Sequence, residues 1–171
     1  TVTFVADVDS NIIPDGNGTR NLGASGSRWS TVYGNTLSGV ATTAKYADLA
    51  ENYVGDEAYE PGTVVVFGGD AEITITSTKG DHRIAGVVST NPGFLMNSEL
   101  DAVNTIAVAL TGRVPCKVIG TVQKGDMLVA SAIPGYAMVN NTPSIGTVIG
   151  KALESSDDSN KKTIEIVVGK V

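Results

Sequence analysis

β-Branched residues dominate this sequence and restrict what it can fold into. Valine, isoleucine and threonine supply 52 of the 171 residues. Such side chains lose rotamer freedom on a helix and pack well on a pleated sheet. Twenty glycines add turn points throughout. The expected class is all-β, built from short strands and tight turns. A hydrophobic fraction of 42% is enough to build a core, which sets the chain apart from disordered acidic tails.

The remaining composition narrows the chemistry. A net charge of -6 argues against nucleic acid and against anionic membrane surfaces as main partners. No run of apolar residues is long enough for membrane insertion as a spanning helix. One cysteine, Cys116, cannot form a disulfide within one chain, and one histidine, His82, cannot build a histidine-rich metal site. No residue set calls for a metal or an organic cofactor. The chain starts at Thr1 without a methionine or a signal-type segment, so the expectation is a processed product or part of something longer.

Three zones follow along the chain. Residues 1–43 are sparse in bulky side chains, among them Phe4, Val5, Ile12, Ile13, Leu22, Trp29, Val32, Tyr33, Leu37 and Val40. So few cannot close a core alone. An interwound trimeric β-shaft, in which three chains supply one shared core, suits such a glycine- and threonine-rich stretch. Ile12, Ile13, Leu22, Trp29, Val32, Tyr33 and Leu37 are its candidate trimer-interface residues. Next, residues 44–54 read as a short helical connector, with Ala44, Ala47, Leu49 and Ala50 as helix formers and Thr42 or Thr43 as a cap. On that helix Asp48 and Glu51 would share a face.

Residues 55–171 read as a compact β-barrel or β-clip-like domain with an internal repeat. The segment from Pro61 to Phe67 resembles that from Lys124 to Ala130, and Arg83 to Val88 resembles Thr147 to Ala152. Gly62 and Gly86 are 24 residues apart, Gly125 and Gly150 are 25 apart. Each unit therefore reads as turn, strand, polar connection, strand. Further strands are expected at Glu72 to Thr76, Ile106 to Leu110, Val114 to Val122 and Thr163 to Val168, with Pro115 either placing its strand at an edge or preceding the strand's start. Residues 98–104 are expected to make a short helical turn.

Few residues suggest catalysis. Asp81-His82-Arg83 follows a turn signal and reads as a surface turn. Ser89 and Ser98 lack a nucleophile-elbow sequence, and Cys116 reads as a buried small side chain. Asp48 and Glu51 are the better pair, since two carboxylates on one face can share a proton or bind a cation.

Several strings in order resemble the C-terminal region of tailed-phage tail fibres. Asn21-Leu22-Gly23, Arg28-Trp29 and Val32-Tyr33-Gly34 resemble a shaft segment. The stretch from Thr42 to Glu51 resembles the block that follows it, and Tyr59 to Val65, Ile84 to Ser89, Asn91-Pro92, Gly112 to Pro115 and Lys124 to Asp126 continue the likeness across nearly the whole chain. The same blocks are remotely similar to the autoproteolytic intramolecular-chaperone domain of phage neck-appendage proteins. The resemblance implies a homotrimer in the virion tail fibre that touches other tail or fibre proteins and attaches to a host glycan or protein receptor. Asn91, Phe94, Tyr136, Asn140 and Asn141 are then the candidate receptor-binding residues, as exposed aromatic and amide groups on loops. It also implies self-cleavage as an alternative, with Asp48 and Glu51 in the block resembling the acidic motif. This chain lacks the long C-terminal helical pair of endosialidase-type chaperones, which favours a permanent tip.

Overall fold

The computed structural model describes residues 9–35 and 48–169. The chain divides into two units, Thr1–Val40 and Ala41–Val171. Within the first, the described residues form turns and a single antiparallel bridge, Ala24 to Ser27. Thr19 Oγ1 donates to the Gly16 carbonyl at 3.1 Å, and Arg20 pairs with Asp15 at 2.7 Å. Leu37, among the trimer-interface candidates, lies outside the described residues.

The second unit is all-β, with ten strands: β1 Asp48–Val54, β2 Val64–Phe67, β3 Ile73–Ile75, β4 Ile84–Val88, β5 Phe94–Met96, β6 Thr105–Val118, β7 Met127–Ala130, β8 Ala137–Val139, β9 Val148–Ala152 and β10 Lys162–Val168. No helix occurs among the described residues. This corrects the helical connector at 44–54: residues 44–47 lie outside the described chain, and 48–54 form β1. The physical reason is burial. Asp48, Ala50 and Asn52 are buried while Leu49, Glu51 and Tyr53 are half-buried, the two-residue period of a strand. Tertiary pairing with β6 outweighs the helix propensity of Leu49 and Ala50. The helical turn at 98–104 is likewise absent; the backbone there is a non-helical loop.

The internal repeat governs the architecture. β6, β10, β9, β7 and β8 pair in turn, and a parallel contact of Val118 with Ala137 closes them into a five-stranded barrel. β1, the first half of β6, β4, β2 and β3 repeat that order, and the parallel bridge from Gly55 to Ile73 stands where Val118 meets Ala137. Registers correspond residue by residue. Val64, Val65 and Val66 face Val87, Gly86 and Ile84; Met127, Leu128 and Val129 face Lys151, Gly150 and Val148. Both ladders bulge at the same place, Val65/Val66 and Leu128/Val129. The turns match too, with Gly62 N donating to Val88 O at 2.8 Å and Gly125 N to Ala152 O at 2.9 Å. Gly62 and Gly125 have φ of 82° and 96°, the region glycine enters without a Cβ penalty.

β6 is one strand of 14 residues, where the sequence suggested two strands around a break at Thr111-Gly112-Arg113. Gly112 pairs with Asp48 of β1 and with Val168 of β10, so it is the point where β6 passes from the first barrel to the second. Its φ of 106° allows that change of partner without breaking the strand. Pro115 sits opposite Glu165, at a position where β10 is the only strand alongside, so its missing N–H disturbs no second ladder.

Two cores result. Val65, Ile73, Val88, Ile106 and Val108 fill the first barrel. The larger core runs through the second barrel, with Leu128, Ile149, Ile164 and Ile166, and takes in Val64, Val87 and Ala109 from the first. Cys116 belongs to it, and burial pushes its thiol up to about 12, so it stays protonated and inert.

Candidate functional site

The segment between β4 and β6 is where the two repeats differ most in structure. In the first it carries an extra strand, β5, which adds to β1 in parallel. Around this addition the structure concentrates polar side chains that face inward. Asp48 is 9% exposed and Ser89 is 7% exposed; Ser89 Oγ donates to Asp48 Oδ2 at 2.6 Å. Gly93 N donates to the Asp48 carbonyl at 2.8 Å. Asn52, 7% exposed, and Asn97, an exposed residue at a φ of 52°, exchange amide-to-carbonyl bonds of 3.1 and 3.0 Å. A buried polar group costs free energy unless paired, and these groups satisfy one another.

The structure does not bring Asp48 and Glu51 together. On a strand, positions three apart point to opposite faces, and Glu51 lies on the face away from Asp48. Glu51 accepts a bond of 2.8 Å from the Tyr53 hydroxyl. Burial, then that bond and the charge of Glu51, push the Tyr53 phenol up to about 12. The shared helical face expected of the two acids is therefore replaced by two separate environments. No group of three His, Cys, Asp or Glu side chains suited to a metal ion occurs among the described residues.

The candidate receptor-binding residues fall on two elements. Asn91 is exposed in the turn before β5, and Phe94, 63% exposed, opens β5. Tyr136 precedes β8 and is half-buried, with Lys161 Nζ 4.9 Å from its ring centre. Asn140 and Asn141 follow β8 and work as turn residues. Asn140 Oδ1 accepts from Thr142 N at 3.0 Å; Asn141 accepts from Met127 N and donates to Asp126, each at 2.9 Å. Their amides are thus largely occupied, whereas Phe94 presents a free aromatic face. The trimer-interface candidates are exposed: Ile12 78%, Ile13 77%, Leu22 75%, Trp29 63%, Val32 67% and Tyr33 94%.

One polar cluster is not evident in the sequence. Asp81, 4% exposed, accepts Arg83 Nε at 3.1 Å, Arg83 Nη2 at 2.7 Å and the Arg83 amide at 2.9 Å. The turn expected here is present, but its acid is buried instead of solvated. These bonds from Arg83 hold the Asp81 carboxyl below the ordinary carboxylate value. A depressed folded-state value stabilises the fold above the unfolded value, near pH 3.9, and that contribution is lost as pH falls through the folded value. Asp81→Asn is therefore expected to be less stable than the parent at pH 7, with the gap narrowing steadily below pH 4 in urea titrations. A gap that is constant with pH would contradict this assignment.

The sequence matches no protein-family model and no curated protein. Among solved structures, the fold is similar to pre-mature bacteriophage phi29 gene product 12, with a TM-score of 0.56 and 14% identity over 78% of this chain. The chain spans 23% of the length of that protein. It is also similar to the C-terminal fragment of the same gene product, with a TM-score of 0.52 and 16% identity, covering 71% of this chain and 99% of the fragment. At such identity the likeness establishes a shared fold.

Proposed function

We propose that this chain is a structural protein of a phage virion, the distal part of a homotrimeric tail fibre that helps the fibre trimerise and attach to the host surface. The carrying observation is the exposure of Ile12, Ile13, Leu22, Trp29, Val32 and Tyr33. Bulky apolar groups gathered in one short segment mark an interaction surface. The fold shared with a phage gene product supports the same reading. Asn91 and Phe94 are the residues offered to a glycan or protein receptor, and other tail or fibre proteins are the further partners. An antibody against residues 48–169 is expected to label an appendage on purified virions from cells carrying the gene. Unlabelled virions from cells that contain the protein would contradict the assignment.

Self-cleavage is the competing reading. Asp48 would act singly there, because Glu51 faces the other way. The permanent-tip reading expects one full-length band on a denaturing gel; a second band abolished by Asp48→Asn would favour cleavage.

A further inference from the structure

One face of the first barrel carries exposed aromatic rings and half-bonded carboxylates together. On β1, Leu49, Glu51 and Tyr53 lie on the opposite face from Asp48 and Asn52. Leu49 is registered beside Phe94 of β5, so that exposed ring stands on this face as well. At the other end the rings of Tyr53 and Phe67 meet edge to face, with centroids 5.7 Å apart and planes at 74°. Tyr53 is half-buried, and Phe67 at the end of β2 is 44% exposed. From Leu49 to Tyr53 the strand covers about 13 Å. The acids are oriented from one side only. Glu51 Oε2 accepts the Tyr53 hydroxyl and Glu72 Oε2 accepts Val54 N, each at 2.8 Å. Neither Oε1 has a hydrogen-bond partner, and neither acid has a cationic partner, among the described residues.

We propose that this face binds a linear neutral oligosaccharide, with one sugar ring stacked on Phe94, another on Phe67, and hydroxyls between them donating to the open oxygens of Glu51 and Glu72. This rests on the reading of Phe94 as a receptor residue, and adds to it the class of ligand and a second half of the site. The C–H faces of a sugar pack on aromatic rings, and its hydroxyls need acceptors. A carboxylate pinned through one oxygen presents the other with little further ordering cost. Both acids are set by strand neighbours, which holds the constellation on rigid elements. Charge selects the class of glycan. Two carboxylates without a cation, in a chain of net charge -6, repel an acidic sugar.

The full chain is to be tested against immobilised linear oligosaccharides of glucose, galactose and mannose, the same chains carrying uronic acids, and lysine-rich peptides. Binding is expected to neutral members and not to acidic ones. Phe67→Leu keeps apolar volume but removes the ring, and is expected to weaken that binding about tenfold. Glu51→Gln, which keeps an acceptor but loses the charge, is expected to weaken it about threefold. Circular dichroism of each variant confirms that the barrel is intact. Neutral-sugar binding that is lost in Phe94→Ala but unchanged in Phe67→Leu and Glu51→Gln overturns the extended site and leaves Phe94 as a receptor residue. Preference for acidic members overturns the ligand class, as does binding to lysine-rich peptides alone that Glu51→Gln abolishes. A chain that binds no sugar but still labels cells to which the virions adsorb overturns the glycan and leaves attachment standing. A chain that binds neither sugars nor those cells removes the receptor reading itself.

Discussion

Gly150→Ala is expected to cost about 3 kcal/mol or more of stability, the upper range for overpacking a close-fitting site. A Cβ at this position would lie 2.1 Å from the Val167 carbonyl oxygen and 2.9 Å from its carbon. These are backbone atoms of the neighbouring strand, and Val168 is paired with Gly150 itself. Relief therefore requires β9 and β10 to part. Gly86, in the same place of the first repeat, is equally confined, with the Ala109 carbonyl oxygen at 2.4 Å. Gly125→Ala is the control. It meets nothing within 4 Å and carries only the penalty of a φ of 96°, about 1–2 kcal/mol. Urea midpoints of the two variants decide the matter. A Gly150→Ala variant as mild as Gly125→Ala would show that the strands are not held this close.

Leu128→Ala is expected to cost about 2–5 kcal/mol, the range for truncating a fully buried leucine. The loss should be shared by both barrels. Leu128 packs in the core that also contains Val64, Val87 and Ala109 from the first repeat, and β6 runs through both. The expected outcome is one cooperative transition at lower urea, with circular dichroism and protease susceptibility of each barrel coinciding. Two separated transitions would mean that the repeats fold as independent domains.

The repeat was legible because its signals are local. The turn glycines Gly62 and Gly125 and the strand glycines Gly86 and Gly150 recur in apolar settings, and all four have steric reasons to be glycine. The continuity of β6 was hidden for the opposite reason. Thr111-Gly112-Arg113 has the composition of a turn, and only the two strands flanking Gly112 keep it extended. β1 was misread because Ala47, Leu49 and Ala50 favour a helix in isolation, while the partner that makes 48–54 a strand comes more than fifty positions later. The same distance effect conceals the polar site. Asp48 is bonded by Ser89, 41 residues away, and Asn52 bonds to Asn97, 45 away. The Asp81–Arg83 clamp is only two residues long, but its burial depends on the packing of the whole domain.

The central claim is that the apolar side chains of the opening segment are covered by sister chains. Ile12, Ile13 and Leu22, each at least 75% exposed, represent apolar surface whose burial would be worth about 25 cal/mol per Å². Light scattering on the full chain in solution tests this most directly. The account predicts a mass three times the 17.6 kDa of one chain, falling to a single chain when Ile13 and Trp29 are both replaced by aspartate. A stable 17.6 kDa species for the unaltered chain at micromolar concentration would contradict it.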